Sequence, residues 1–297
     1  IVANNGNTLS LDPADGAATT VAGAGTKLTC GYSLAAELVV SGGARVSLAD
    51  RLDVDTLTIE DGVLTHPRTG IAAEPRLDLR VAGTIIVTAG GLIDLVGRGY
   101  LGDCRPDAGC AVGGRTLGNV TGGSARFGGG SHAGQGGGSS ATTFGDAQTP
   151  NTLGSGAGYG NGGGEPGGNG GGRLRLVADA LVVDGGIDAD GMTAAGVNAG
   201  GGGGGSIHIV ARALSGSGTI LARGGGSGPS ISGGGGGGGR IRLATTTDTL
   251  TGDVSVSGGA GGTGALTGGD GSRRPSSTCA QRPQRRRARC SASSASA

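Results

Sequence analysis

The chain has 297 residues, 73 of them Gly, with 2% aromatic residues and no Trp. So much Gly leaves too few bulky side chains for a conventional α/β enzyme core, and a cost of about 1 kcal/mol per helical Gly relative to Ala argues against a helical protein. Nine Pro and no sustained Gly-X-Y period exclude collagen.

The net charge of +1 conceals a split. Residues 272–297 hold seven Arg and no acid; without them 16 basic residues face 22 acidic ones, a net of −6. The body is therefore mildly acidic and lacks the basic stripe that is the first requirement for nucleic-acid binding, so no nucleic-acid partner is expected. No apolar run approaches the roughly 18 residues of a membrane span, and none is expected. An Ala-, Gly- and Arg-rich chain with one Lys, Lys27, has the composition of a GC-rich bacterial genome.

Residues 1–100 read as a β-strand repeat region. In Leu52–Ile59 apolar residues alternate with Asp and Thr through one change of phase, the pattern of a half-buried strand. Ser41-Gly42-Gly43 and Glu60-Asp61-Gly62 supply turn chemistry, and 76–99 repeats the form with turns at Gly83 and Gly90-Gly91.

Residues 101–172 form a glycine-rich insert with few β-branched residues and no amphipathic period. Such a stretch is ordinarily a linker or disordered. The region 173–271 argues for order instead, because it repeats. RLRLVADALVVDGGIDADG from Arg173, SIHIVARALSGSGTILARG from Ser206 and RIRLATTTDTLTGDVSVSG from Arg240 form three units of about 33 residues. Each is strand, turn, strand, then a Gly tract, as at 199–205 and 233–239. The segment from Arg76 has the same form. Repeats of this length mark a solenoid whose units bury their apolar faces on one another. Gly at recurrent places also permits polyproline-II chains to approach closely and bond backbone to backbone. The expected fold is all-β: a β-solenoid or β-sandwich of short strand pairs with a packed glycine-rich polyproline-II layer and no significant helix. Residues 272–297 match neither pattern and read as a basic, disordered tail.

Candidate sites are few. Cys104 and Cys110 in CRPDAGC have the spacing of a loop disulfide, and no second Cys or His pair suggests zinc. The repeat alignment sets His208 opposite Arg175 and Arg242 on the polar strand face; His66 precedes Pro67 in a turn and His132 lies in a Gly tract. None completes a Ser/His/Asp set. Asp53/Asp55 and Asp188/Asp190 are i, i+2 carboxylates that would suit glycoside chemistry or calcium, against a plainer role as solubilising charge. Gly185–Met192 partly resembles a calcium nonapeptide, with Asp where the fourth position needs Gly and no tandem copy. The many GxGxxG strings carry no weight at this Gly content, and Lys27 follows Thr26, which excludes a phosphate-binding loop. Asn119-Val120-Thr121 is a chance-level glycosylation sequon. Phe127, Phe144 and Tyr159, inside the insert, are expected to pin its packing, with contact to a partner as the alternative. No catalytic residue, metal ligand or cofactor site is expected.

Paired β segments alternating with polyglycine tracts, together with GRGYLGDC, resemble glycine-rich secreted or cell-surface repeat proteins of bacteria, often large and adhesin-like. The Gly layer is similar to the polyglycine bundles of some phage receptor-binding adhesins and to the glycine-rich extracellular domain of certain receptor kinases. The resemblance covers about 76–271 and carries over no functional residue; CRPDAGC and the Arg-rich tail depart from it. It implies a non-enzymatic extracellular or cell-surface module, a stalk or adhesive element whose partners would be surface or matrix glycans or proteins. The alternative is a carbohydrate-active β-helix enzyme or a calcium- or carbohydrate-binding module; ice or mineral binding is a third reading.

Overall fold

The computed structural model describes residues 37–49, 51–104, 112–139, 141–161, 165–229 and 231–274, and the backbone of four short strands before them. Among the described residues the chain forms strands and extended segments and no helix. The first two strands, β1 (Ala3–Asn4) and β2 (Leu9–Ser10), pair antiparallel on their own.

Among the described residues, every later strand except those of one hairpin belongs to a stack of parallel rungs. The rungs are β3 (Thr19–Val21) with β4 (Lys27–Leu28), then β5 (Glu37–Val40) with β6 (Arg45–Leu48). The third holds β7 (Leu52–Val54), β8 (Thr56–Ile59) and β9 (Val63–Thr65), and the fourth β10 (Leu77–Val81), β11 (Thr84–Val87) and β12 (Leu92–Asp94). The hairpin β13 (Gly114–Thr116) and β14 (Val120–Ser124) follows, inside the stretch whose composition suggested a linker. The last rungs are β15 (Arg173–Val183) with β16 (Gly186–Asp188), β17 (Ser206–Gly216) with β18 (Thr219–Leu221), and β19 (Arg240–Leu250) with β20 (Val254–Ser255). Finally β21 (Ser272–Arg274) pairs with β19, extending the sheet three residues into the segment set apart as a tail.

The long strands make one ten-stranded sheet, in which β15 accepts β10 along its first half and β11 along its second. The short strands make a seven-stranded sheet. The register follows the sequence repeat: Arg173 pairs with Ser206, and Ser206 with Arg240. Leu77 pairs with Leu174 across the whole insert.

The core lies between the two sheets. Leu38, Leu57, Ile85, Leu181 and Leu214 form one register row, and Val46, Leu64, Ile93, Ile187 and Ile220 the facing one, each at most 1% exposed. Burying each such side chain contributes about 1.5–3 kcal/mol, so stacked rows of β-branched and Leu residues hold the rungs in register. The change of phase in Leu52–Ile59 falls at Asp55, between β7 and β8. The same break splits β10 from β11 and interrupts the alternation of β15 near Asp179.

From each short strand of the last rungs, a tract leaves the sheets, turns, and returns as the Gly tract that leads into the next long strand. This out-and-back excursion fills the 33-residue repeat. The strands place their outer side chains on the sheet faces, and the excursions build a third layer.

Candidate functional site

The third layer is a hydrogen-bonded lattice of glycine tracts. Along 200–205 the backbone N–H groups donate in turn to the carbonyls of Gly158, Gly234, Met192, Ser155, Gly237 and Ala189, at 2.7–3.1 Å. The partners cycle through three neighbouring tracts with a period of three, the repeat of a left-handed polyproline-II helix. Its carbonyls receive N–H groups from three others: Gly168 and Gly171 on one, Gly130 on the second, Gly225 on the third. Six neighbours therefore surround one chain. Residues 234–239 repeat the scheme, donating to Phe127, Leu266, Gly225, Gly130, Gly269 and Ala222. Both tracts are buried throughout. The packing explains the Gly content: a Cβ on Gly202 would come closer than 3.0 Å to the Asn169 carbonyl oxygen, with no flexible side chain to give way.

The insert at 101–172 is part of this lattice. Tracts around 99–103, 128–132, 153–160 and 167–172 interleave with those of the repeats. Where one amide is missing, a side chain replaces it. Gly130 N–H donates to the Gly201 carbonyl; three residues on, Gly204 O is met by His132 Nδ1 at 2.6 Å. Thr152 Oγ1 lies 2.7 Å from the other ring nitrogen. A carbonyl only accepts, so Nδ1 carries the proton and Nε2 accepts from the threonine. The ring is fully buried and neutral; burial first of all lowers its pKa to about 4. His66 is arranged alike, with Nδ1 at 2.7 Å from the Pro67 carbonyl and Nε2 accepting from Arg173 N–H, and burial lowers it to about 4 as well. A turn and a Gly tract gave no sign that either His is buried; the nearby register of carbonyls that requires them exists only in three dimensions.

The other singled-out residues do not converge. Asp53 accepts from Arg51 at 2.6 Å, and Asp55 sits at the break between strands, so the two are not a same-face pair on one strand. Asp188 ends β16, and its Oδ1 accepts the Asp190 N–H. Asp190 is engaged by Arg223 of the next rung, through the backbone N–H at 2.5 Å and the guanidinium Nε at 2.8 Å. Burial, then the Asp190 charge, holds the Asp188 carboxyl well above the usual carboxylate range. Two neighbouring carboxyls would be half of a general-acid arrangement, but Asp190 is tied to Arg223, and the register places Leu221 and then Ser255 beside Asp188 in the following rungs. No group of three or more His, Cys, Asp or Glu suited to a metal exists among the described residues, which include the partial calcium-repeat match.

Cys104 is in a disulfide, and Cys110 lies outside the described residues. Buried Asp103 closes the foot of that loop, accepting from Cys104 N–H at 2.8 Å and Gly113 N–H at 2.9 Å. Asn119 adopts a left-handed backbone (φ 56°) and donates to the Gly70 carbonyl.

The aromatics divide. Phe144 packs on His132 with ring centroids 5.1 Å apart, and its carbonyl accepts from Arg240. Phe127 and Tyr159 lie at the far end of the lattice, half-exposed, with the Arg126 guanidinium 4.4 Å from one ring and 5.8 Å from the other. Phe127 holds a left-handed backbone, φ 67°, an outlier for a bulky residue. The turns of the excursions end at this same rim: Phe127 N–H donates to Tyr159 O, Asn161 N–H to Val197 O, Ile231 N–H to Asn198 Oδ1, and Gly235 N–H to Leu266 O. Val197, Ile231 and Leu266 are exposed there.

No family model, curated protein or solved structure matches the chain. No helix among the described residues is long and apolar enough to cross a membrane.

Proposed function

We propose that the chain is a non-enzymatic extracellular module, a stiff stalk or display element that presents an adhesive rim. The observation that carries this reading is the lattice: successive amides of one tract bond to three different neighbours, which ties the insert and the repeats into one block. A chain with a quarter of its residues Gly gains rigidity this way that its side chains could not supply. The aromatic and aliphatic residues at the far rim supply exposed apolar contact, with Arg126 stacked between two rings.

The test is retention of protein-coated beads under flow on surfaces bearing glycans or matrix proteins. A variant with Tyr159→Ser, Val197→Ser, Ile231→Ser and Leu266→Ser should fold and lose retention. Equal retention of the variant would remove the rim from the reading. Hydrolysis of any polysaccharide in a broad panel, abolished by Asp188→Asn, would replace it with the carbohydrate-active enzyme.

A further inference from the structure

The outer face of the ten-stranded sheet carries a straight row of three Arg and one His, ended by an acid. Asp78, Arg175, His208, Arg242 and Arg274 are register partners on five successive strands, β10, β15, β17, β19 and β21. Adjacent parallel strands lie about 4.8 Å apart, so the row advances by that step across the sheet. Its one acid, Asp78, sits at the end, 3.5 Å from Arg175. The field along the row is positive: after burial, the charges of Arg175 and Arg242 are what lower the His208 pKa.

Two flanking rows shape the face. Two residues further along the strands, Val177, Val210 and Ala244 form an apolar strip, and beyond it the same register row turns charged, with Arg80 and Asp53. On the other side Arg173, Ser206 and Arg240 are tied to the segment 144–152 through the carbonyls of Asn151, Thr152 and Phe144, which makes that segment a wall. Asp146 in the wall is exposed, and the Gln148 N–H and the Thr149 hydroxyl, more than Arg240, hold its carboxyl below the usual range.

We propose that this row binds an extended acidic polysaccharide laid across the strands, its carboxylates on Arg175, His208, Arg242 and Arg274 and the apolar faces of its sugar rings on Val177, Val210 and Ala244. A pyranose unit is about as long as one inter-strand step, so one carboxylate per sugar keeps pace with one basic side chain per rung, and a carboxylate on His208 would draw a proton onto its ring. A single-stranded nucleic acid fits less well, since it draws on aromatic stacking platforms and the row has none. The choice of a polysaccharide rests on the extracellular reading above; the basic row itself does not, and it is separate from the apolar rim.

The experiment is calorimetric titration of the full chain with oligogalacturonate, with dextran and oligo(dT) as comparisons. Oligogalacturonate should bind, dextran should not, and added salt should weaken the binding by screening. The Arg175→Gln/Arg242→Gln variant should lose about tenfold or more in affinity. The exposed Arg274→Gln should lose less and keeps the test open if the double variant does not fold. Bound carboxylates should also raise the His208 pKa, read by NMR in the presence and absence of the oligosaccharide. No binding at low salt, unchanged affinity in both variants, or an unmoved His208 would overturn the proposal, as would tighter binding of oligo(dT). The rim variant should bind oligogalacturonate like the parent chain, so failure here and failure of bead retention are separate results.

Discussion

At the scale of single residues, buried polar side chains complete a backbone network. His132 replaces an amide at the place where the three-residue period calls for one, and His66 accepts the N–H at the mouth of β15. Both are neutral, with pKa values lowered to about 4 from an ordinary 6.5. Between those values the unfolded chain takes up protons that the folded chain refuses. Stability is therefore fully present above pH 6.5 and falls toward pH 4, by about 1.4 kcal/mol per pH unit for each His in that window. Asp188 works in the opposite sense: its raised pKa lets the folded state bind a proton first, so its contribution improves as pH falls. Chemical denaturation at a series of pH values should show a net loss on acidification. The Asp188→Asn variant should be the more stable protein at pH 8 and lose stability more steeply below it. A parent protein equally stable at pH 7 and pH 5, with an equally flat Asp188→Asn, would mean that the two imidazoles are not held neutral.

At the scale of elements, two devices hold one rung to the next. Rows of Leu, Ile and Val lock the sheets, and side chains of one rung reach the residue 33 positions later in the following one: Asp179 to Arg212, Asp184 to Ser217, Asp190 to Arg223 and Thr193 to Gly226. The glycine tract is the third kind of element, and its tolerance should be sharply graded by place. Gly202→Ala should destabilise by about 3 kcal/mol or more, because the new Cβ meets backbone that other tracts hold in position. Gly70→Ala, where a Cβ meets nothing within 4 Å, should stay within about 0.5 kcal/mol of the parent. Thermal unfolding of both variants decides; a tolerated Gly202→Ala would mean the tracts are not close-packed. The last rung is built differently. Asp248 stands in the register row of Leu181 and Leu214 and is exposed, so the apolar row ends there with a charge that discourages strand addition along the second half of β19, and β21 pairs only with Arg240–Arg242.

At the scale of the molecule, the sheets and the lattice are one hydrogen-bonded body. The returning tracts run straight into β15, β17 and β19, and the amides of 200–205 and 234–239 bond to the insert at Phe127, Gly130, Ser155 and Gly158. Native-state hydrogen exchange should accordingly find the amides of 200–205 and 234–239 as protected as those of β15 and β17, and exchanging with them as one cooperative unit. Exchange near the intrinsic rate would make the tracts spacers and reduce the rigid body to the two sheets.

The repeat, the strand pairs, their turns and the polar placement of His208 were all legible in the chain, because alternation and spacing are local properties that a pleated strand imposes on side chains two apart. The likeness of the Arg76 segment to the unit that begins 97 residues later, at Arg173, is also in the letters, and Asp78 stands in register with Arg175. The tertiary structure alone decided the rest. Gly carries no side-chain pattern, so nothing in 101–172 could say which carbonyl each amide meets, or that a hairpin interrupts the tracts. Burial of His66 and His132 and alignment of Phe127, Tyr159, Val197, Ile231 and Leu266 on one rim depend on contacts between distant segments, whereas the strand break at Asp55 was already marked by the change of phase in Leu52–Ile59. Periodicity determined the rungs; the lattice needed the third dimension, because its information resides in backbone groups that every residue shares.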